Sequence, residues 1–285
     1  MPTEQPILRC PRTDIDGTTP FNNDLLNRKD LALKLTGYID RLKEGAVLAI
    51  DAPWGEGKTW FGKNWKQYLE SNDRKVIYID AFAQDYIEDP FMLLASELLA
   101  IVEEKTKTKT QLAKKSVAVL QATMSIGTKI GSGLATTYLL GGVELGDEVE
   151  KAISDASGET ALLTSKLIEE SFERFEDNKQ TLDAYKNELA SYASAQEQPV
   201  VIFIDELDRC KPDFAVRLIE RIKHFFDVPN IVFVLLINRE QLESAIKGVY
   251  GSDTDASAYL GKFINFFFKL PKSTFEDYHS HRLVE

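Results

Sequence analysis

At 285 residues, with 44% hydrophobic and 28% charged side chains, the chain describes a soluble globular protein able to bury a real core, either one large α/β domain or a domain with a substantial insertion. A formal net charge of −11 argues against general affinity for DNA, RNA or acidic lipid, though it leaves room for a local basic patch. The two cysteines, Cys10 and Cys210, are far apart, which excludes a metal-binding spacing or a disulfide framework and fits a reducing cytoplasm.

The opening Met1-Pro2-Thr3-Glu4-Gln5-Pro6 lacks a basic flank followed by an apolar run, so no secretory signal is expected. Residues 1–23, rich in Pro, Thr, Asn and Asp, read as an irregular lead-in. From about Arg28 to Lys43, Leu31, Leu35, Tyr38, Ile39 and Leu42 fall at helical spacing. Gly45 ends that pattern. Ala46 to Ile50 is short and uniformly apolar, which suits a strand covered on both faces of a parallel sheet. Val76 to Ile79 is a second such strand, leading into Asp80-Ala81-Phe82. A helix is expected from about Pro90 to Glu104, with the proline in its first turn. The Lys/Thr repeat at 105–110 reads as a break or a solvated connection.

Residues 116–143 carry a single charge, Lys129, among many Ala, Gly, Ser and Thr. A spanning helix needs about 20 mostly apolar residues, and Lys129 divides this run. A helical hairpin in water is the reading preferred here; membrane contact is the alternative. Charged, amphipathic helix returns over about 161–195. Val200 to Ile204 and Ile231 to Ile237 are further buried strands, and Phe214, Leu218, Ile222, Phe225 and Phe226 form a helical stripe between them. Strand, helix, strand in that order implies a parallel pair with a crossover helix.

Ala52-Pro53-Trp54-Gly55-Glu56-Gly57-Lys58-Thr59 follows a buried strand and opens a helix. It matches the Walker A pattern, with Ala52 where the first glycine is usual. Gly55 and Gly57 permit the dihedrals that turn successive N–H groups toward phosphate oxygens, and the helix start adds unpaired N–H groups. Ala52 is tolerated there provided its φ is negative. Lys58 is the expected phosphate contact and Thr59 the expected Mg²⁺ ligand. Asp205 and Glu206 end the strand Val201 to Ile204, at the sheet edge where α/β proteins bind ligands. Asp205 is then the partner of Mg²⁺ and Glu206 the general base for the attacking water. Asp208 and Arg209 pair either with one another or with the phosphate site, and Arg209 could reach a neighbouring subunit. Cys210 reads as a small packed residue.

Asn238 ends strand 231–237 in an amide and is a candidate sensor of the γ-phosphate or the lytic water; Arg239 is a weaker candidate for charge stabilisation. Upstream, Leu25, Leu26, Asn27 and Arg28 either frame the nucleotide base or simply cap and staple the first helix. Trp54, Trp60 and Trp65 cluster around the cradle. Trp54 and Trp60 are candidate nucleotide contacts, although Trp60 and Trp65 suit the core as well. His224, His279 and His281 show no metal or triad arrangement. ATP is preferred to GTP because no Asn-Lys-x-Asp segment occurs in the sequence.

Trp54 to Thr59, Ile204-Asp205-Glu206-Leu207-Asp208-Arg209-Cys210-Lys211-Pro212, and Tyr259 to Phe263 through Leu270-Pro271 together resemble the KAP family of P-loop NTPases. Asp24 to Arg28 and Asp80-Ala81-Phe82 are similar to that family's blocks too, so the resemblance covers most of 20–272. It implies a three-layer α/β/α core of the additional-strand, catalytic-glutamate (ASCE) type, with a parallel sheet and a large helical insertion between Walker A and Walker B. The chain accordingly divides into the lead-in 1–23, a first core part 24–104, the insertion 105–195, a second core part 196–272 and a tail 273–285. The resemblance also implies a helical region beyond Pro271, so the chain reads as a truncated form or a minimal core. Phage defence in bacteria is a role implied in the same way. The expected function is Mg²⁺-dependent ATP hydrolysis driving conformational change, in a homo-oligomer or a larger complex with other proteins. The alternative is a slowly hydrolysing, nucleotide-controlled scaffold, possible at a membrane through 116–143. Nothing in the residues points directly to nucleic acid.

Overall fold

The computed structural model describes residues 19–22, 24, 26–42, 44–103, 106–123, 165–223 and 228–271, with the backbone alone for 121–123 and 165–179. The elements in chain order are α1 (Arg28–Ile39), β1 (Ala46–Asp51), α2 (Lys58–Glu70), β2 (Val76–Asp80), α3 (Pro90–Ile101), α4 (Lys107–Thr123) and α5 (Ser165–Ser194). They continue with β3 (Val200–Asp205), α6 (Pro212–Ile222), β4 (Ile231–Ile237), α7 (Arg239–Tyr250), α8 (Ala256–Leu260) and β5 (Phe266–Lys269). Short 3-10 turns follow β2 at Phe82–Gln84 and β3 at Leu207–Arg209.

The strands form one sheet in the order β2-β3-β4-β1-β5. Every pair is parallel. All-parallel sheets need cover on both faces, and the alternation along each strand supplies two apolar surfaces. Leu48 and Ile50 pack with Ala32, Leu35 and Ile39 of α1 and with Phe61, Trp65 and Leu69 of α2. Val47 and Ala49 face the other cluster, with Leu94 and Leu98 of α3, Leu218 of α6 and Ile246 of α7. Phe61 and Trp65 are fully buried, and side chains of this size contribute about 1.5–3 kcal/mol each on leaving water. The result is the three-layer α/β/α sandwich. β4 lies between β1 and β3, and is the additional strand of the ASCE arrangement.

The insertion is rooted in this core. Leu112, Ala113, Val117, Val119 and Leu120 of α4 and Tyr185, Leu189 and Ala193 of α5 join the cluster under α3. Lys115 Nζ bonds Glu188 Oε2 at 2.7 Å across the two helices. The chain turns extended at Val102, and within the Lys/Thr repeat Thr106 stands before α4 while Lys107 to Thr110 form its first turn, the Thr106 hydroxyl accepting from Lys109 N at 3.1 Å; Lys105 lies outside the described residues. Residues 116–123 continue that helix, with Ser116 buried and bonded to the Leu112 carbonyl. The rest of 116–143, Lys129 included, lies outside the described residues. Among the described residues, no helix is long and apolar enough to cross a membrane.

Two helices stop earlier than their periodicity suggests. α1 ends at Ile39; the chain tightens there, with Arg41 N on the Tyr38 carbonyl and Leu42 N on the Ile39 carbonyl, and Asp40 pairs with Arg74. α3 ends at Ile101, and its start is set by Asp89, whose side chain accepts from Phe91 N before Pro90 opens the first turn. Phe214, Leu218 and Ile222 are buried as the stripe requires; Phe225, Phe226 and the three histidines are outside the described residues. The connection from β1 to β2 passes β4 and β3, whereas that from β4 to β5 passes β1. The diverging connections leave a crevice over the C-terminal strand ends, where α/β sheets bind ligands.

Candidate functional site

The loop between β1 and α2 is shaped by its glycines. Gly55 and Gly57 have φ of 83° and 76°, a region costly to any residue with a Cβ. A Cβ on Gly57 would also lie 2.6 Å from Arg28 Nη1. Ala52 has a negative φ and continues the sheet ladder through its N–H to the Ile237 carbonyl at 3.1 Å, so the missing first glycine leaves the turn intact. Lys58, buried at the start of α2, donates to the Ala52 carbonyl at 2.7 Å and the Pro53 carbonyl at 3.2 Å. Burial holds its ammonium pKa below the usual lysine value, with Asp208 and Asp205 opposing the shift. The amine therefore rests on the carbonyls of its own loop.

That cavity, of about 330 Å³, is lined by Trp54, Gly55, Gly57, Lys58, Thr59, Trp60 and Lys63 on the loop side, and by Asp205, Glu206, Asp208 and Arg209 on the β3 side. The two halves that spacing suggested thus share one space. Asp205 is buried, and both its oxygens accept: Oδ2 from the Tyr78 hydroxyl at 2.7 Å and Oδ1 from Glu206 N at 2.9 Å. Burial beside Asp205 keeps the Tyr78 phenol far above its ordinary pKa, so it remains a donor. Glu206 has φ of 60°, rare for a residue with a side chain. Its two oxygens both accept from Arg209 Nη1 at 2.8 Å. Burial raises the Glu206 pKa and Arg209 opposes that rise.

Asp208 and Arg209 do not pair with one another. Asp208 Oδ2 accepts from the indole N–H of the half-exposed Trp54, joining the loop to the turn after β3. Cys210 is packed, with its thiol against the Glu206 carbonyl. Trp60 lines the cavity and meets Phe21 edge-on at 5.8 Å. Trp65 is core, donating to the Thr36 hydroxyl.

Five expected site residues stand outside this cavity. Arg28 supports the loop from beneath: Nη2 donates to the Glu56 carbonyl at 2.7 Å and the Pro271 carbonyl at 3.2 Å, and Nη1 to the Gly57 carbonyl at 3.4 Å. Glu56 contributes its backbone to that bracing and does not line the cavity. Asn27 is exposed, left-handed and makes no side-chain cap; Asp24 takes that part, accepting from Leu26 N and Lys29 N. Leu25 lies outside the described residues. Asn238 caps α7, its side chain accepting from Gln241 N at 3.5 Å. It lines a neighbouring cavity of about 390 Å³ with Asp51, Ala52, Pro53 and Lys269. Arg239 is occupied by Glu243, Ser257 and the Phe267 ring, so it holds α7 rather than a phosphate.

Periodicity could have found Lys63, one turn beyond Thr59 on the same helix face. Tyr78 and the target of Arg28 have no local signal. The donor set fits a phosphorylated ligand: a lysine, left-handed glycines, a helix start, and acids opposite. Among the described residues no group of His, Cys, Asp and Glu could hold a metal by itself. The Thr59 hydroxyl and the Asp205 carboxylate, both on the cavity wall, suit a hard cation that takes its other ligands from phosphate oxygens and water.

The fold is similar to that in "Structure of the Aeropyrum Pernix ORC2 protein (ADPNP-ADP complexes)", with 11% identity and a TM-score of 0.39 over 94% of this chain and 53% of that one. The chain thus spans about half the length of that protein. No curated protein sequence matches significantly. The profile of the KAP family P-loop domain matches residues 28–281, most of the 285. With its glycine loop and acidic strand end facing one cavity in an ASCE core, the chain belongs to the KAP family of P-loop NTPases.

Proposed function

We propose that the chain is a Mg²⁺-dependent ATPase that couples ATP binding and hydrolysis to a change of conformation or assembly. The observation that carries this reading is the single cavity shared by Gly55, Gly57, Lys58 and Thr59 with Asp205 and Glu206. Lys58 leaves the Ala52 and Pro53 carbonyls for phosphate oxygens, and the N–H groups at the start of α2 hold the same charge. Thr59 and Asp205 would hold Mg²⁺, which would supply positive charge to the phosphate oxygens. Tyr78 and the Glu206 N–H keep the Asp205 carboxylate in one orientation. Glu206 accepts the proton of the attacking water at its carboxylate.

The preference for ATP over GTP rests on the missing Asn-Lys-x-Asp segment. A cytoplasmic setting, suggested by the two distant cysteines, a homo-oligomer or a complex with other proteins, and a part in bacterial phage defence, implied by the family resemblance, belong to this proposal. Ser116, Val117, Val119 and Leu120 are buried against protein, so the reading gives these residues no lipid contact. A second reading, a slowly hydrolysing nucleotide-controlled scaffold, is favoured by the engagement of both Glu206 oxygens by Arg209. Mg²⁺-dependent phosphate release, assayed with ATP and GTP, separates the two. Hydrolysis of ATP that Lys58→Ala and Glu206→Gln each abolish supports the ATPase. Full turnover in either variant would remove the residue assignments, and tight ATP binding without turnover in the unaltered chain would favour the scaffold.

A further inference from the structure

The pairing of Glu206 with Arg209 is unexplained by hydrolysis alone, since it neutralises the group that must take a proton. Arg209 lines the phosphate cavity with Lys58 and Thr59. It reaches Glu206 through Nη1 alone, at 2.8 Å from each oxygen, so Nε and Nη2 keep the planar fork that matches phosphate. The pair sits three residues apart in one turn, with side-chain exposures of 45% and 20%. Partly exposed pairs of this kind are among the weakest ionic contacts in proteins. The turn beneath is fixed, with Leu207 fully buried and Asp208 bonded to Trp54. Movement is therefore left to the Arg209 side chain.

We propose that Arg209 discriminates nucleoside triphosphate from diphosphate: it rests on Glu206 when no terminal phosphate is present, and swings to the γ-phosphate when one arrives, freeing the Glu206 carboxylate for the attacking water. The proposal rests on the ATPase reading and makes Arg209 a substrate-contacting residue of the same chain. A terminal phosphate offers more negative charge and more acceptor oxygens than one carboxylate, so the exchange is favourable. With ADP the guanidinium stays on Glu206.

The test is equilibrium titration with ADP and with a non-hydrolysable ATP analogue, both with Mg²⁺, for the unaltered chain, Arg209→Ala and Lys58→Ala. Arg209→Ala is expected to weaken the triphosphate analogue by about tenfold and leave ADP within about twofold, as loss of one charge-assisted contact to the γ-phosphate requires. Equal changes for the two nucleotides, or none, overturn the proposal while leaving nucleotide binding in place. Failure of the unaltered chain to bind either nucleotide overturns both the proposal and the reading beneath it. Restoration of triphosphate affinity on mixing Arg209→Ala with Lys58→Ala chains would place the arginine in a partner copy and overturn the same-chain assignment. Circular dichroism establishes that Arg209→Ala folds, as expected for a half-exposed side chain.

Discussion

Replacing Arg28 with methionine removes the guanidinium donors while keeping an unbranched stem of similar reach. Its shorter bonds, to the Glu56 carbonyl at 2.7 Å and the Pro271 carbonyl at 3.2 Å, are the two that matter; the Gly57 contact at 3.4 Å is marginal. Hydrogen bonds from charged donors contribute about 1.5–3 kcal/mol each, so the gross loss is roughly 3–6 kcal/mol. Against it stand the desolvation of a side chain only 4% exposed and a buried Nε with no partner among the described residues. Relief of those penalties returns about 1–3 kcal/mol. A net destabilisation of about 2–3 kcal/mol is expected, read as a lower urea midpoint in far-ultraviolet circular dichroism. The loop suffers separately. Glu56 and Gly57 lose their anchor and must be ordered on binding, at about 1–2 kcal/mol per residue, which lowers nucleotide affinity by roughly thirtyfold or more. An unfolding free energy within about 0.5 kcal/mol of the unaltered protein, together with an unchanged nucleotide Kd, would refute the bracing role.

Gly62→Ala places a Cβ 2.1 Å from Leu236 Cδ1, between α2 and β4. Overpacking of this kind costs about 1–3 kcal/mol; a lower melting temperature is expected, and an equal or higher one contradicts the packing. Burial pushes the Cys210 thiol up to about 12, so at pH 8 only roughly one molecule in ten thousand carries the reactive thiolate. Site-resolved mass spectrometry after iodoacetamide treatment should find Cys210 unmodified in folded protein and modified in urea; rapid labelling of the folded form contradicts this. Trp54, half exposed and bonded to Asp208 across the cavity mouth, should dominate any change in tryptophan emission on adding nucleotide. Trp54→Phe is expected to remove most of that change, and its full survival would assign the signal to Trp60.

β1 to β4 are legible in the sequence because a strand covered on both faces leaves an unbroken apolar run with a polar stop. The phosphate loop is legible because its conformation needs glycine at fixed positions and chemistry needs lysine and threonine next to them. β5 is not singled out: Phe266 to Phe268 is a short apolar run whose strand character comes from pairing with Leu48 to Ile50. The start of α4 is hidden by threonines of low helix propensity, and the apolar face that fixes it lies farther on, at Leu112, Ala113 and Val117. Contacts that neither spacing nor motif signals shape the site as well. Arg28 reaches Pro271 across 243 residues, and Tyr78 meets Asp205 only because β2 and β3 pair in a particular register. Asn238 has an amide equally suited to sensing and capping, and its place at the start of α7 has it capping. Contacts made by tertiary register leave no local pattern.

Calorimetric titration of the unaltered chain and of Lys58→Ala with Mg²⁺ and a non-hydrolysable ATP analogue tests the central claim most directly. The account predicts saturable, one-to-one binding by the unaltered chain and its loss in Lys58→Ala, with both proteins giving the same folded circular dichroism spectrum. Equal binding by the two proteins, or none by the unaltered chain, would contradict it.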